Sequence, residues 1–364
     1  MGFFVMAHAF KFFFLGALVL FGGCMCRMQT LRQQDTKAIV AIFNKARGIK
    51  PLLGGISTTR LYRFQNAQKE QVARFLPTST SIIDCEKEIT AQQKAAVLGL
   101  APAIRYVSPD KHFVVMDFVK GHNMWGSALT PETLKMLGET LAGLHQEVKA
   151  QKTASSASDL LRSTLSHPGW QHLRQTFCAL EAKLLSQGLA AFCHVDVHPG
   201  NVIVSPDGLL WFVDWTNART YSVYYDLAYF AVVALLTPAQ EATLLKAYRA
   251  KAAFAFDEQL YICAKKMALI QYIDALLTFD HITESDFEVL LKTPLSAQEK
   301  RDLSDLLKRQ VIARPSFQEA LKAMTAPQIL KACVRWALNQ YTSLPSLFPQ
   351  KFSQKSVPKT RAPF

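Results

Sequence analysis

The spacing of apolar residues divides the chain into a first part of short extended runs and a longer part of helices. Between Pro51 and Phe118, short runs of branched and aromatic residues alternate with turns, which is typical of β-strands. From Thr130 onward, apolar residues recur every three or four positions, as on one face of an α-helix. The pattern predicts an α+β chain, with a small antiparallel-sheet lobe followed by a larger, mainly helical lobe.

The individual elements follow from the same spacing and from the cap residues. We predict strands at 61–64, 71–76, 104–107 and 113–118, and a helix over 84–98 with Asp84 as its N-cap. Thr130 is the expected N-cap of a second helix, with Pro131 at its first position. Further helices are predicted at roughly 170–188, 226–236, 238–253, 257–280, 295–310 and 315–340.

Composition and charge narrow the class of protein. Apolar residues make up 50% of the chain and charged residues 19%, which excludes a disordered chain. The net charge is +13, but residues 1–50 carry +6 of it and residues 342–364 carry +4. The nearly balanced body disfavours a nucleic-acid groove. The seven cysteines are scattered, so they predict neither a zinc site nor a disulfide framework.

A hairpin between residues 201 and 214 brings together polar residues that can hold a metal. Asp207-Gly208 between two apolar runs is a strong hairpin signal. A two-residue turn there pairs Asn201 directly with Asp214, with Cβ atoms about 4.5–5.5 Å apart. A three-residue turn that includes Pro206 moves the register by one and makes the pair diagonal. In either register an amide oxygen and a carboxylate can share one Mg²⁺ ion.

A second carboxylate lies shortly before this hairpin. Asp196 precedes Asn201 by five residues, on the loop that enters the hairpin. A carboxylate at this position can accept a hydrogen bond from a substrate hydroxyl while the metal holds phosphate oxygens nearby. The D-x-x-x-x-N spacing is that of the protein-kinase catalytic loop, in which the Asp is the base and the Asn binds metal.

Three motifs together resemble one family of small-molecule kinases. They are His194-x-Asp196-x-His198-x-x-Asn201, Phe212-Val213-Asp214-Trp215 and Tyr225-Asp226-Leu227-Ala228. This set resembles the aminoglycoside phosphotransferase and choline kinase group, which includes bacterial choline, ethanolamine and thiamine kinases. The resemblance covers roughly residues 50–340 and implies a two-lobed, protein-kinase-like fold. Two interpretations of His198 stay open, a residue near the site or a part of the turn.

The resemblance implies roles for the residues of these motifs. Asp196 is the catalytic residue, which aligns the acceptor hydroxyl and takes its proton. Asn201 and Asp214 are the Mg²⁺ ligands. His194 and Asp226 support the site structurally, His194 as a prop for the loop and Asp226 by capping a helix or bracing the loop.

The same resemblance implies an ATP site in the amino-terminal lobe. Gly54, Gly55 and Ser57 are similar to the family's G-G-x-[ST] loop, whose backbone N–H groups and hydroxyl lie over the phosphates. Arg74 stands where protein kinases have a strand lysine, and its guanidinium can contact the α- and β-phosphates.

A helix acid and the segment between the lobes complete this predicted ATP site. Glu88 is the preferred ion-pair partner of Arg74, and Glu86 on the same helix is its rival. Met116 is the predicted hydrophobic gate beside adenine. Phe118 belongs to the segment 117–119, whose backbone is expected to hydrogen-bond the adenine ring.

The implied reaction is the transfer of the γ-phosphoryl group of ATP to an alcohol, with Mg²⁺ as cofactor. Trp215 and Tyr225 belong to an aromatic cluster that can bind a cationic choline-, ethanolamine- or thiamine-like acceptor or can instead be core. An aminoglycoside-type phosphotransferase and a catalytically silent nucleotide-binding interaction module stay open as alternatives. A protein kinase is less favoured, because D-F-G and A-P-E are missing.

The composition of the two chain ends completes the predicted domain division and bears on the cellular location of the protein. We expect an apolar leader, anchor or mis-assigned start at 1–28, an N-lobe at 29–118, a C-lobe at 119–341 and a basic disordered tail at 342–364. The apolar run at 12–26 is shorter than the roughly 20 residues of a membrane span. Since the chemistry needs cytosolic ATP, we predict a cytoplasmic protein, with a tether to the inner membrane face through residues 3–26 as an option. We expect a small alcohol as partner, weak membrane association through the termini, and no specific nucleic acid.

Overall fold

The computed structural model describes residues 33–52, 59–67, 69–124, 129–146, 156–161, 163–187, 189–277, 282–293 and 327–345, together with the isolated residues 296, 298 and 303. Four predictions lie outside the described residues. They concern the leader at 1–28, the loop with Gly54, Gly55 and Ser57, nearly all of the helix at 295–310, and the tail beyond residue 345.

The first part of the chain folds into a five-stranded antiparallel sheet with the strand order β1-β2-β3-β5-β4. Its elements are α1 (Gln33–Ile42), β1 (Ala46–Pro51), β2 (Arg60–Asn66), β3 (Lys69–Phe75), α2 (Ile82–Val97), β4 (Ile104–Val107) and β5 (Phe113–Asp117). The predicted strands and the predicted helix of this part are therefore confirmed, with shifts of one to a few residues at their ends.

The side chains of this sheet alternate between two apolar faces. On one face Tyr62 and Phe75 pack with Ile39 of α1. On the other face Val72 and Met116 pack with Ile89 of α2. Because both faces are covered, the central strand β3 is buried from Gln71 to Phe75.

The second part is mainly helical. Its elements are β6 (His122–Asn123), α3 (Pro131–Leu144), α4 (Pro168–Gln187), β7 (Ala190–Cys193), β8 (Val202–Val204), β9 (Leu210–Phe212), β10 (Arg219–Ser222), α5 (Val223–Val233), α6 (Pro238–Lys251), α7 (Glu258–Leu277), α8 (Glu284–Lys292) and α9 (Pro327–Ser343). Helix α5 is buried along its whole length and packs against α7 in the largest apolar core. The predicted α+β architecture is confirmed.

Helices α3 and α6 approach each other closely at a glycine. A Cβ atom added to Gly138 would lie 2.5 Å from the carbonyl oxygen of Leu244. The absence of a side chain thus lets the two backbones touch. Thr130 caps α3 by accepting a hydrogen bond from the N–H of Thr133, and Pro131 is its first residue, as predicted.

Several predicted element ends differ from the structure. The N-cap of α2 is Ser81, whose hydroxyl accepts from the N–H of Asp84, so Asp84 lies inside the first turn. Helix α5 begins at Val223, before Asp226. Helix α9 continues to Ser343, so the first residues of the predicted tail are helical. Helices α1 and α8 were not predicted. Within the described ranges, no helix has the length and apolar character needed to span a membrane.

Candidate active site

The predicted hairpin forms, but in the second of its two registers. Val202 pairs with Phe212 and Val204 with Leu210, and the N–H of Val213 donates to the carbonyl oxygen of Asn201 at 2.9 Å. The direct pairing of Asn201 with Asp214 is therefore wrong, and the two residues are diagonal neighbours.

The turn of this hairpin explains the register. Its loop is the three-residue segment 206–208, because the N–H of Ser205 bonds the carbonyl oxygen of Leu209 at 3.0 Å. Pro206 supplies the fixed φ of a type I turn, and Gly208 takes φ +83°. The side chains of Asn201 and Asp214 still lie at the same end of the hairpin.

The backbone of the loop that precedes the hairpin is held by the carboxylate of Asp226. The N–H of His194 donates to its Oδ2 at 2.9 Å, and the N–H of Val195 donates to its Oδ1 at 2.7 Å. Val195 has φ +65°, a conformation that costs a non-glycine residue about 1–3 kcal/mol. Asp226 thus braces the loop, one of its two predicted roles, while the capping position of α5 belongs to Ser222.

A histidine that sequence reasoning missed completes this brace. Nε2 of His145, at the end of α3, lies 3.1 Å from Oδ2 of Asp226, and Nδ1 of His145 lies 3.0 Å from the hydroxyl of Tyr248. Both His145 and Asp226 are fully buried. Nothing in the sequence marks His145, because it meets Asp226 only through the packing of α3 against α5 and α6.

The two predicted metal ligands each keep one oxygen for a cation. Nδ2 of Asn201 donates to the backbone oxygen of Asp196 at 3.1 Å, which leaves its Oδ1 as an acceptor. For Asp214, the donors found among the described residues both reach Oδ1: Thr216 at 2.6 Å and Arg74 at 3.5 Å. Oδ2 of Asp214 stays available. An amide oxygen and a carboxylate oxygen are ligands that suit Mg²⁺, so the donor set fits this ion.

The ion pair predicted in the amino-terminal lobe is confirmed. Nη1 of Arg74 on β3 donates to Oε1 of Glu88 on α2, and both side chains are buried. Glu86 lies on the exposed side of the helix. Because Arg74 also reaches Asp214 across the space between the lobes, the three charged side chains form one network.

The network shifts its two carboxyl groups in opposite directions. Burial raises the pKa of Glu88, with Arg74 opposing the shift. Burial acts in the same direction on Asp214, but Arg74 and the hydroxyl of Thr216 outweigh it and lower the pKa of Asp214. Asp214 is therefore ionised at neutral pH, as a cation ligand must be.

Asp196 lies within electrostatic reach of Asp214. Burial, followed by the negative charge of Asp214, raises the pKa of Asp196 well above its ordinary value. Its carboxylate accepts a hydrogen bond from Nδ2 of Asn217 at 3.3 Å, and it interacts electrostatically with the buried hydroxyl of Tyr229. The structure thus brings Asp196, Asn201 and Asp214 to one place.

The two histidines of the motif are buried and neutral. Nε2 of His194 lies 3.0 Å from the carbonyl oxygen of Val213, and its ring packs 4.6 Å from that of Trp215. Nδ1 of His198 accepts from the N–H of Gly200 at 3.0 Å, and burial lowers the pKa of His198 to about 3. His194 therefore ties the loop to the hairpin, and His198 lies in the turn within the electrostatic reach of Asp214.

The segment between the lobes contains Met116 and Phe118 as predicted. Met116 is buried among apolar side chains of both the sheet and α2, and the ring of Phe118 lies 4.1 Å from the guanidinium of Arg63. The N–H of Asp117 bonds Ala103 at 3.0 Å, and that of Phe118 bonds Glu70 at 3.1 Å. Those two amides are occupied, which leaves the N–H of Val119 for the predicted adenine contact.

The two aromatic residues predicted to bind substrate lie in the core. Trp215 is fully buried, stacks on Phe192 and donates its Nε1–H to Phe212 at 3.1 Å. Tyr225 is fully buried and donates its hydroxyl to Gln271. Neither ring presents a face to a ligand, so packing explains both residues and the predicted substrate role gains no support.

A family profile matches this chain. The phosphotransferase enzyme family matches residues 48–259, which is more than half of the sequence and includes every element of the site. A search of curated protein sequences gave no match.

Solved structures share the fold at low identity. A choline kinase from Streptococcus pneumoniae has a TM-score of 0.55 and 16% identity, over 79% of this chain and 96% of that one. A choline/ethanolamine kinase family protein from Mesorhizobium loti has a TM-score of 0.53 and 17% identity, over 86% of this chain and 100% of that one. A spectinomycin phosphotransferase, solved with ADP and spectinomycin, has a TM-score of 0.52 and 14% identity, over 85% of this chain and 99% of that one.

Proposed function

The chain belongs to the phosphotransferase enzyme family, and on that premise we propose that it transfers the γ-phosphoryl group of ATP to the hydroxyl of a small alcohol. The observation that carries the proposal is the convergence of Asp196, Asn201 and Asp214 at one end of a hairpin. These side chains supply a hydroxyl-orienting carboxylate and two oxygen ligands for a cation.

Each residue has a defined task in this reaction. Asp196 would accept the hydrogen bond of the acceptor hydroxyl, align its oxygen with the phosphorus, and take its proton late in the transfer. Asn201 and Asp214 would hold Mg²⁺, which when bound neutralises charge on the phosphate oxygens. Arg74 would steady the α- and β-phosphates from the sheet lobe while Glu88 fixes its guanidinium.

The raised pKa of Asp196 fits a base in a site that excludes water. Only 3% of Asp196 is exposed, so an acceptor that reaches it displaces the little water left there. A carboxylate with a raised pKa is a stronger base than a solvated one, provided that it is deprotonated before transfer. We place the hydroxyl of the acceptor against Asp196 and Asn217.

We propose a choline-, ethanolamine- or thiamine-like alcohol as the acceptor. The fold shared with choline and ethanolamine kinases supports this class, and a cationic acceptor suits a site with two neighbouring aspartates, Asp196 and Asp214. A hydroxylated antibiotic is the second candidate, because a spectinomycin phosphotransferase shares the fold to a similar degree. The complete set of Asp196, Asn201 and Asp214 disfavours a silent nucleotide-binding module.

The test is a panel of alcohols incubated with purified protein and Mg-ATP. Choline, ethanolamine, thiamine and spectinomycin are offered separately, and the phosphorylated product is detected by mass. We expect one of the cationic alcohols to gain a phosphoryl group, and Asp196→Asn to lose the product while the exposed-side variant Glu86→Gln keeps it. Turnover that persists in a folded Asp196→Asn or Asp214→Ala protein would refute the assignment.

The proposed reaction uses cytoplasmic ATP, and the apolar run at 12–26 is proposed to add at most a tether. Sedimentation of the protein with anionic and neutral vesicles, with and without residues 1–27, separates this property from catalysis. A tether predicts vesicle binding that depends on those residues and leaves turnover unchanged.

A further inference from the structure

Two consecutive side chains after the metal aspartate contact the two functional carboxylates. The hydroxyl of Thr216 lies 2.6 Å from Oδ1 of Asp214. The amide Nδ2 of Asn217 lies 3.3 Å from Oδ2 of Asp196. Neither Thr216 nor Asn217 belongs to the set that the sequence motifs assign to the site. We infer that Thr216 and Asn217 are positioning residues, Thr216 for the cation ligand Asp214 and Asn217 for the base Asp196.

The contacts of Thr216 link the two lobes. Besides Asp214, its Oγ1 lies 3.1 Å from Oε2 of Glu88 on α2. A hydroxyl has one proton to donate, and the shorter distance assigns it to Asp214. Arg74 contacts both Oε1 of Glu88 and Oδ1 of Asp214, so a shift of α2 would reach the carboxylate of Asp214 through Arg74.

The hydrogen bond from Thr216 also determines which oxygen of Asp214 is available to bind the cation. Thr216 and Arg74 both reach Oδ1, so the rotation of the carboxylate is fixed and Oδ2 is the free atom. Residues that orient a metal ligand commonly change metal affinity by about 10- to 100-fold when they are removed. Loss of the hydroxyl should therefore weaken the binding of Mg²⁺ with nucleotide.

Asn217 acts on the other carboxylate. Its amide donates to Oδ2 of Asp196 at 3.3 Å, so it holds one oxygen of the base in place. Asp196 does not hold the nucleotide in the proposed reaction. Loss of the Asn217 amide should therefore slow phosphoryl transfer and leave nucleotide affinity unchanged.

Changes at Thr216 should therefore weaken the binding of Mg²⁺ with nucleotide, and changes at Asn217 should slow phosphoryl transfer; both expectations rest on the proposed function. The effect at Thr216 is measured by calorimetric binding of a non-hydrolysable ATP analogue at a series of Mg²⁺ concentrations. We expect Thr216→Val to raise the Mg²⁺ concentration for half-maximal binding about tenfold, and Thr216→Ser to restore it. Thr220→Val on β10 removes the same hydroxyl away from the carboxylates and should behave like the wild type.

The effect at Asn217 on phosphoryl transfer is measured by the release of ADP from Mg-ATP. The acceptor is choline, ethanolamine or water, whichever reacts fastest. We expect Asn217→Ala to lower kcat about tenfold at an unchanged KM for nucleotide, since hydrogen bonds to charged groups have this order of effect. Asn217→Asp keeps the shape but removes the donor and adds a like charge, so it should be slower than Asn217→Ala. Melting temperatures of all the variants check folding.

The outcomes separate this inference from the proposed function. A wild type that binds the analogue with Mg²⁺, together with an unaffected Thr216→Val or a Thr216→Ser as impaired as Thr216→Val, overturns the role of Thr216. An Asn217→Asp protein as active as the wild type, or an Asn217→Ala protein that loses nucleotide affinity, overturns the role of Asn217. A wild type that binds no nucleotide overturns the proposed function and this inference together.

Discussion

Asp214 and Asp226 lie twelve residues apart in one block of the chain, yet their surroundings differ in kind. Asp226 is fully buried, and its oxygens accept from two backbone N–H groups and lie against His145. Asp214 is partly exposed, and one of its oxygens has no donor within the described part of the chain. A carboxylate with both oxygens hydrogen-bonded inside the protein holds the backbone, whereas one with a free oxygen can bind a ligand.

The largest effect that this comparison predicts is on turnover at Asp214. The change Asp214→Asn keeps the size of the side chain but removes the charge that a cation needs. We expect kcat to fall about 1,000-fold or more, as for the loss of a principal electrostatic group, with a melting temperature close to that of the wild type. A steady-state assay and a melting curve on the same preparation would check this, and preserved turnover would contradict it.

The same substitution at Asp226 should mainly reduce stability. In Asp226→Asn, an NH₂ group replaces an oxygen that accepts from the backbone of His194 or Val195, so two donors face each other in a dry interior. We expect a loss of about 3 kcal/mol in the free energy of unfolding, from one buried unsatisfied donor and one lost charged hydrogen bond. Denaturant unfolding measures it. Equal stability of Asp226→Asn and Asp214→Asn would remove the distinction between the two aspartates.

The pH dependence of stability gives a further test of the structural part of the site. The loop that Asp226 holds at His194 and Val195 continues to His198, which is buried and neutral. The pKa of His198 is about 3 in the folded protein, so in acid the unfolded chain takes up a proton at this residue that the folded protein does not. Stability is therefore complete above the unfolded pKa and falls as the pH drops below about 6.5. We expect a loss of about 2 kcal/mol between pH 7 and pH 5 from this one group.

The variant His198→Asn tests this origin. Its amide oxygen can still accept from the N–H of Gly200 but does not titrate. The difference in unfolding free energy between pH 7 and pH 5 should shrink in this variant relative to the wild type. An unchanged difference would show that other groups cause the acid sensitivity.

The smallest effect concerns the ion pair that reaches Asp214 from the sheet lobe. Glu88→Gln removes the charge that holds Arg74, and we expect nucleotide affinity to fall about tenfold, as for a hydrogen bond to a charged group. Glu86→Gln, two residues earlier on the exposed side of α2, is the matched control and should change affinity less than twofold. Calorimetry with ADP and Mg²⁺ compares them. Equal losses in both variants would mean that surface charge, not the buried pair, is responsible.

The sequence alone predicted most of the fold, because short apolar runs bounded by turns and the three-to-four spacing in α3 are direct consequences of burial. It did not predict β1, β6, β7 and β10. The last three have two to four residues, too few to show an alternating pattern, and β1 has no fully buried residue. Helix α1 was missed because its buried residues are few, Asp35 and Ile39 among ten.

For the site, the sequence predicted the hairpin and the side chains that meet there, but not their exact register. The choice between two- and three-residue turns depends on whether Pro206 joins the loop, and Asp207-Gly208 is compatible with both. The roles of His145 and Asn217 were not predictable, since their partners are distant in the sequence and meet them only through tertiary packing. Thr216 lies two residues after Asp214, but none of the sequence motifs includes its hydroxyl. From the sequence, the aromatic cluster with Trp215 could bind substrate or belong to the core. The burial of Trp215 and Tyr225 assigns both residues to the core.

The most direct test of the account measures how Mg²⁺ changes the affinity for a non-hydrolysable ATP analogue in the wild type, Asn201→Ala and Asp214→Asn. If these two side chains hold the nucleotide's cation, Mg²⁺ should strengthen binding at least about tenfold in the wild type, and this gain should disappear in both variants while binding without Mg²⁺ stays equal. The same Mg²⁺ gain in all three proteins, or no binding in the wild type, would contradict it.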